Sequence, residues 1–411
     1  MEKIIYNAYI ITPDVPRGAE PQKGYVIFDR KIKKVKSGEP SPSEKRGTRV
    51  IDAEENFLLP AFLNPHDHLI GTWYPRIGDE RPYRHWYQWE VILKKHPVYS
   101  ERGKIPKEIL YRLADYKTIF GGATTVADHV PHELNRDLLH QMYVRVVVPY
   151  ALAHSVYRKF RLLWGKGIAI EHLKAELLDI PFFIHIEEGF TYEIQTELPE
   201  LIKEGGLGPR TLMIHCIGFD DFDRKKVKES GASVVWCPYS NWFMYGRTAE
   251  IPEFLKAGIN VTLGTDSCMS GSDHLLHEIN FAYDLARKLW GGIDPVQLYL
   301  MITENSAKAL RQKLLGKLSA GYLADLLILR RSKENPFENL VQATPKDILF
   351  LSREGKSLLA KSDMWANEEE ATEVRVEGEK RVLVGNIEKM KEEIDAILGY
   401  DKELPFIPVD F

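Results

Sequence analysis

From Phe57 to about residue 309, short apolar runs alternate with amphipathic helical stretches, and no other feature limits the fold of this chain so strongly. Strands are read at 57–63, 124–129, 143–149, 181–185, 211–215, 233–237 and 260–266. Helical spacing is clearest for Ile109, Leu110, Leu113, Ala114 and Ile119, closed by Gly121-Gly122, and for Leu275, Ile279, Ala282, Ala286 and Leu289. Repeated βα units of this kind surround a parallel sheet. The expectation is an α/β fold, a (β/α)8 TIM-type barrel. One repeat looks abbreviated, because 143–154 reads either as one long strand or as two merged units.

The two ends have a different texture. Residues 1–56 give short strands separated by Gly, Pro and Asp-Arg breaks, and β patterning returns beyond residue 314 at 324–329, 348–352 and 357–360. Termini of a domain often lie close together, so these parts are expected to join into one small β-sandwich domain. The divisions expected are 1–56 and 315–385 for that domain, 57–314 for the barrel, and 386–411 for a charged helix and tail, most simply a solvated face.

Several strands end in residues that bind metals or move protons. Asn64-Pro65-His66-Asp67-His68 closes the first, and His-x-His at a strand end puts two imidazoles on one side of the backbone. His185, His215 and Asp266 close others. In a parallel barrel the carboxyl ends of the strands meet at one mouth, so residues far apart in sequence converge there. Neutral imidazoles with one carboxylate suit Zn²⁺, or Fe²⁺ or Mn²⁺, with a position left for water. Such an ion lowers the pKa of its water to roughly 7, which makes hydroxide available at neutral pH. Glu188, three residues beyond His185, is placed to take a proton from that water and deliver it to a leaving group, and Glu187 is its weaker competitor.

These residues carry a resemblance. Asn-Pro-His66-Asp-His68, His185-x-x-Glu188, His215, Ser240-Asn241 and Gly264-Thr265-Asp266-Ser267, in that order, resemble the metal-dependent amidohydrolase superfamily. More narrowly they resemble its branch of cytosine, guanine and S-adenosylhomocysteine deaminases and s-triazine chlorohydrolases. Thr303-x-Asn305-x-Ala307 and Gly316-Lys317-Leu318-x-x-Gly321-x-x-Ala324-Asp325-Leu326 resemble that branch's return to its accessory β domain. The resemblance implies His66, His68, His185 and Asp266 as metal ligands, Glu188 as proton shuttle, and His215 as the group that orients hydroxide or polarises substrate. It also implies a single ion, because 151–155 offers neither the Lys nor the Glu that bridges two. His154-Ser155 is similar to a Pro-His-Ser of related deaminases, with Ala153 in place of the Pro, which implies His154 against substrate.

Residues 72–99 hold an unusual density of aromatics, Trp73 and Trp86 among them. They read as a lid stacking on a planar substrate, or equally as packing or a contact between subunits. Tyr239 to Tyr245, with Asn241, is a second candidate wall. The chain carries a net charge of −4 with no basic stripe, which gives no footprint for nucleic acid. It has no apolar run near the length of a membrane span and no signal-peptide layout, and its three cysteines lack a CxxC, so the cytoplasm is the default.

The function expected is hydrolysis of a C–N bond in a small molecule, deaminating an aminated heterocycle or amidine-like compound through metal-bound hydroxide. Hydrolysis of an amide, a cyclic amide or a C–halogen bond on the same centre is the alternative. A silent scaffold is the distant one, since every expected position is filled. A homo-oligomer is left open.

Overall fold

The computed structural model describes residues 1–156, 164–366 and 369–411. Two all-parallel sheets form the centre of the chain. One holds Phe62–Asp67, Ala123–Asp128 and Arg145–Val146, and the other holds Ala151–Ser155, Phe182–Ile186, Thr211–His215, Ser233–Trp236 and Asn260–Leu263. The ambiguous stretch 143–154 resolves here. Arg145–Val146 pairs with one sheet and Ala151–Ser155 with the other, and no helix separates them. Pro149 lies between, and a proline has no N–H to give a ladder.

Being parallel, the strands deliver their carboxyl ends to one side. The register sets Ile186 opposite His215, His185 opposite Ser155, and Asp67 opposite Asp128. The helices expected from spacing are present at Lys107–Phe120 and Leu275–Trp290. Their buried faces, including Leu110, Leu113, Ile279 and Ala282, pack into the main apolar core. Gly264 matters at one point: a Cβ there would sit 2.9 Å from His66 Cβ, so the last strand approaches the first only without a side chain.

Strands from the two ends make one continuous ten-stranded sheet rather than two separately bonded ones. The join is Phe57–Pro60, which pairs in parallel with Lys3–Ile10 and antiparallel with Leu326–Leu329. That strand, expected to open the barrel, thus belongs to the flanking sheet, and the parallel units begin after Pro60. Asp325 ties the sheet to the centre, accepting from Thr124 Oγ1 at 2.7 Å and pairing with Arg145 at 2.7 Å.

The C-terminal helix Ile387–Leu398 is not merely a solvated face. Ile387, Met390 and Ile394 form a buried stripe, and Leu404, Phe406 and Ile407 of the tail are buried as well. Among the described residues, no helix is long and apolar enough to cross a membrane.

Candidate active site

His66 lies on the first parallel strand and His68 just past its end, and both reach the same point. Their Nε2 atoms each stand 3.6 Å from Asp266 Oδ1. His185 and His215 end two neighbouring strands of the second sheet. Ligand atoms of His66, His185 and His215 lie within 4.8 Å of one another, as do those of His66, His68 and Asp266. The four residues expected as ligands, and His215, therefore lie close together.

The second nitrogen of each ring decides what the first can do. His185 Nδ1 is 2.9 Å from the His154 carbonyl oxygen and His215 Nδ1 is 2.8 Å from Asn241 Oδ1. Both acceptors call for an Nδ1–H donor, which leaves each Nε2 with a free lone pair. Among the described residues, His66 Nε2 is buried without a hydrogen-bond partner. A buried nitrogen left so is costly unless something else satisfies it, and a divalent cation would. Burial holds His66 down to about 3 and His185 well below the usual imidazole range, so both are neutral near pH 7, as a ligand must be. The donor set fits a metal ion.

Asp266 adopts a left-handed backbone, φ +58°, uncommon for a residue with a side chain. Its Oδ1 accepts from Ser267 N at 2.7 Å and its Oδ2 from Ser240 Oγ at 2.6 Å. Burial works to raise its pKa, yet the imidazoles of His66, His215 and His68 hold it well below the ordinary value. Behind it, Lys117 and Asp67 form a buried ion pair at 2.8 Å, and Lys117 Nζ donates to the Asp266 carbonyl at 3.0 Å. Sequence reasoning missed Lys117. The signal was a charge in the apolar row Leu110, Leu113, Ala114, Lys117 of one helix face.

Glu188 faces the same cavity. Its Oε2 is 3.6 Å from His215 Nε2, and its Oε1 accepts from the Tyr245 hydroxyl at 2.7 Å. Burial, then the Asp266 charge, pushes its pKa well above the carboxylate range. Among the described residues, Glu187 does not line the cavity, and both its carboxyl oxygens are buried without a hydrogen-bond partner. Burial foremost, then Asp223 and Glu197, raises it to about 9.

The cavity, about 160 Å³, has the His–Asp cluster as its floor and the helix Trp86–Lys95 as much of its roof. Trp86 stands 4.6 Å from the His154 ring and Trp164 4.8 Å from it, centroid to centroid. Among the described residues, Trp86 Nε1 and Glu90 Oε2 are buried without hydrogen-bond partners, on residues that line the cavity. His154 and Trp86 thus line the space expected of them.

Trp73 and Asn241 do not. Trp73 is fully buried in the apolar core, its Nε1 donating to Glu101 at 2.8 Å with the Lys402 ammonium over its ring. The chain turns inward directly after the first strand, so that indole serves packing. Asn241 sits behind His215 and is spent on it. His129 stacks on His185 at 4.1 Å, and Asp128 accepts from Leu69 N, Tyr111 and Asn135, so neither reaches the cavity. Cys216, Cys237 and Cys268 are free and buried. Residues 157–163, which follow the strand of His154, lie outside the described residues.

The model of the amidohydrolase family matches residues 175–356. A 5-methylthioadenosine/S-adenosylhomocysteine deaminase of Syntrophobacter fumaroxidans is 25% identical, across 83% of this chain and 88% of its own length. A 5'-deoxyadenosine deaminase of Methanocaldococcus jannaschii is also 25% identical, across 77% of this chain and 86% of its own. Among solved structures, an atrazine chlorohydrolase from Arthrobacter aurescens complexed with zinc superposes with a TM-score of 0.75 at 17% identity, covering 96% and 100% of the two chains. That last likeness concerns the fold. The chain resembles the amidohydrolase superfamily, and its deaminase branch, along most of its length.

Proposed function

We propose that this chain hydrolyses a C–N bond of an aminated heterocycle and releases ammonia, using one divalent ion held by His66, His68, His185 and Asp266. The observation that carries this is the convergence of four imidazoles and one carboxylate beneath a buried Glu188 carboxyl. When bound, the ion, Zn²⁺ before Fe²⁺ or Mn²⁺, supplies Lewis acidity and acidifies water near pH 7.

The remaining chemistry belongs to side chains. Glu188 takes the proton of the attacking water through Oε2 and passes it to the departing amine. His215, fixed by Asn241 with its Nε2 forward, orients the nucleophile and polarises the ring carbon. Ser240 and Ser267 hold the Asp266 carboxylate. Trp86 and His154 flank the substrate ring, while the roof keeps bulk water out. The parallel strands close into a (β/α)8 barrel over residues 61–314. Residues 1–60 and 315–385 supply the flanking β domain, and 386–411 the C-terminal helix and tail. Buried free cysteines suit a reducing compartment, so the cytoplasm is the setting proposed.

The relatives' names make 5'-substituted adenosines the first compounds to assay. A second reading, displacement of halide from a chlorinated ring, is favoured by the chlorohydrolase fold likeness. Purified wild type and Glu188→Gln should be screened for ammonia release on 5'-deoxyadenosine, 5-methylthioadenosine, guanine and an aminated triazine. Chloride release from atrazine and carboxylate release from simple amides run in parallel. Ammonia release that falls at least about 100-fold in the variant supports the proposal. Halide or carboxylate release without ammonia, or an unaffected Glu188→Gln, would overturn it.

A further inference from the structure

Glu188 and Tyr245 are 57 positions apart and come from different βα units, yet the Tyr245 hydroxyl donates to Glu188 Oε1 at 2.7 Å. Both residues are buried, Glu188 at 7% and Tyr245 at 2% exposure. Burial, foremost among its causes, holds the Tyr245 phenol well above its usual pKa, so this hydroxyl keeps its proton and donates it. With Oε1 engaged, Oε2 is the oxygen left to face His215 and the cavity.

A third segment holds these two together. Tyr83 N donates to the Met244 carbonyl at 2.9 Å, one residue before Tyr245. Immediately afterwards the chain pairs with the Glu188 loop. Phe190 N donates to the Arg84 carbonyl at 2.9 Å, Trp86 N donates to the Glu188 carbonyl at 3.2 Å, and His85 forms an antiparallel bridge with Gly189. Tyr83, Met244 and Tyr245 also share a small apolar cluster of their own. Within four residues the segment grips both loops and then becomes the roof helix with Trp86.

Gly189 makes the approach feasible. Its φ is +145°, which L side chains rarely adopt, and a Cβ there would lie 2.6 Å from the Arg84 carbonyl oxygen and 2.7 Å from His85 Cα. Backbone atoms cannot yield that distance cheaply.

We infer that residues 83–86 are a strap which holds Tyr245 against Glu188, making Tyr245 and Gly189 positioning residues for the proton-transferring carboxyl. This rests on the reading of Glu188 as proton shuttle. A carboxyl on an unsupported loop turns freely and offers either oxygen. Here one oxygen is tied, and the tie shares a backbone with the wall that meets the substrate. Seating of substrate against Trp86 and aiming of Glu188 thus become one event.

The test compares wild type, Tyr245→Phe, Gly189→Ala and the double variant, each as full-length, metal-loaded protein with 5'-deoxyadenosine as probe. Tyr245→Phe should lower kcat about 10- to 100-fold with KM within about threefold and metal content unchanged. Gly189→Ala should lower kcat comparably, and the double variant should be no more than about threefold worse than the poorer single, since both lose one arrangement. Hydrogen exchange reads the strap without substrate: in Gly189→Ala, segments 83–86 and 188–190 should both exchange faster. A kcat for Tyr245→Phe within twofold of wild type, multiplicative losses in the double variant, or faster exchange in only one segment overturns the inference. Absence of ammonia release from wild type would instead sink the proposed reaction, and the exchange result would still decide the strap.

Discussion

The floor and the roof of the cavity are built by different means. On the floor, the side chains stand at or beside strand ends, and three of them are oriented by further bonds: His215 by Asn241, His185 by the His154 carbonyl, Asp266 by Ser240 and Ser267. On the roof, the helix Trp86–Lys95 hangs from backbone bonds to the Glu188 loop and to Met244, and it carries two buried polar atoms, Trp86 Nε1 and Glu90 Oε2, that have no partner among the described residues. A floor so constrained suits a chemistry that must be repeated identically. A roof with unspent donors and acceptors suits recognition, because a site that leaves buried polar atoms unpaired gains when a ligand pairs them.

That contrast is open to breakage. The largest effect is expected on the floor, where Asp266→Asn should abolish stoichiometric metal binding by elemental analysis and lower ammonia release by about 1,000-fold or more. One step back from the ion, Asn241→Ala frees the His215 tautomer. It should cost roughly 10- to 100-fold in kcat with metal retained.

The roof should respond differently. Trp86→Ala should raise KM about 10-fold and leave metal content alone, whereas Trp73→Phe should leave KM within about twofold and lower Tm instead. Should Trp73→Phe alter KM as strongly as Trp86→Ala, the assignment of one indole to substrate and the other to packing is wrong.

The smallest effect concerns Glu187. Its pKa in the folded chain, about 9, lies above the ordinary unfolded value near 4.3. Its contribution to stability is therefore fully present below the unfolded value and is lost as pH rises through 9. Glu187→Gln should match wild type in Tm below pH 4 and exceed it by roughly 2–4 °C near pH 9. A pH-independent difference would show that Glu187 is not held protonated.

The same contrast explains what the sequence disclosed. His66, His68, His185, His215 and Asp266 were legible because parallel strands deliver their ends to one mouth, so residue type and position sufficed. Glu188 was separable from Glu187 by spacing, and burial of Glu187 away from the cavity is the physical reason. Trp73 and Trp86 are the same letter in the same aromatic stretch. Only the path of the backbone turns one into the core and the other toward His154. Tyr245 was legible only as part of the candidate wall 239–245; its bond to Glu188 was out of reach, since nothing in a chain announces a partner 57 residues away in another unit. The choice between one long strand and two merged units over 143–154 stayed open for a related reason, because its halves pair with different sheets and neither neighbour is visible in the sequence.

The central claim is that the strand-end cluster is a metal-dependent hydrolytic centre for C–N bonds, and metal removal addresses it most directly. Ammonia release from 5'-deoxyadenosine, or from whichever aminated ring the screen identifies, should be followed as protein stripped by chelator is titrated with Zn²⁺. The account predicts that activity disappears with the metal, returns in proportion to added Zn²⁺, and reaches its plateau at about one equivalent per chain. Ammonia release that persists at full rate in protein shown by elemental analysis to be free of metal would contradict it.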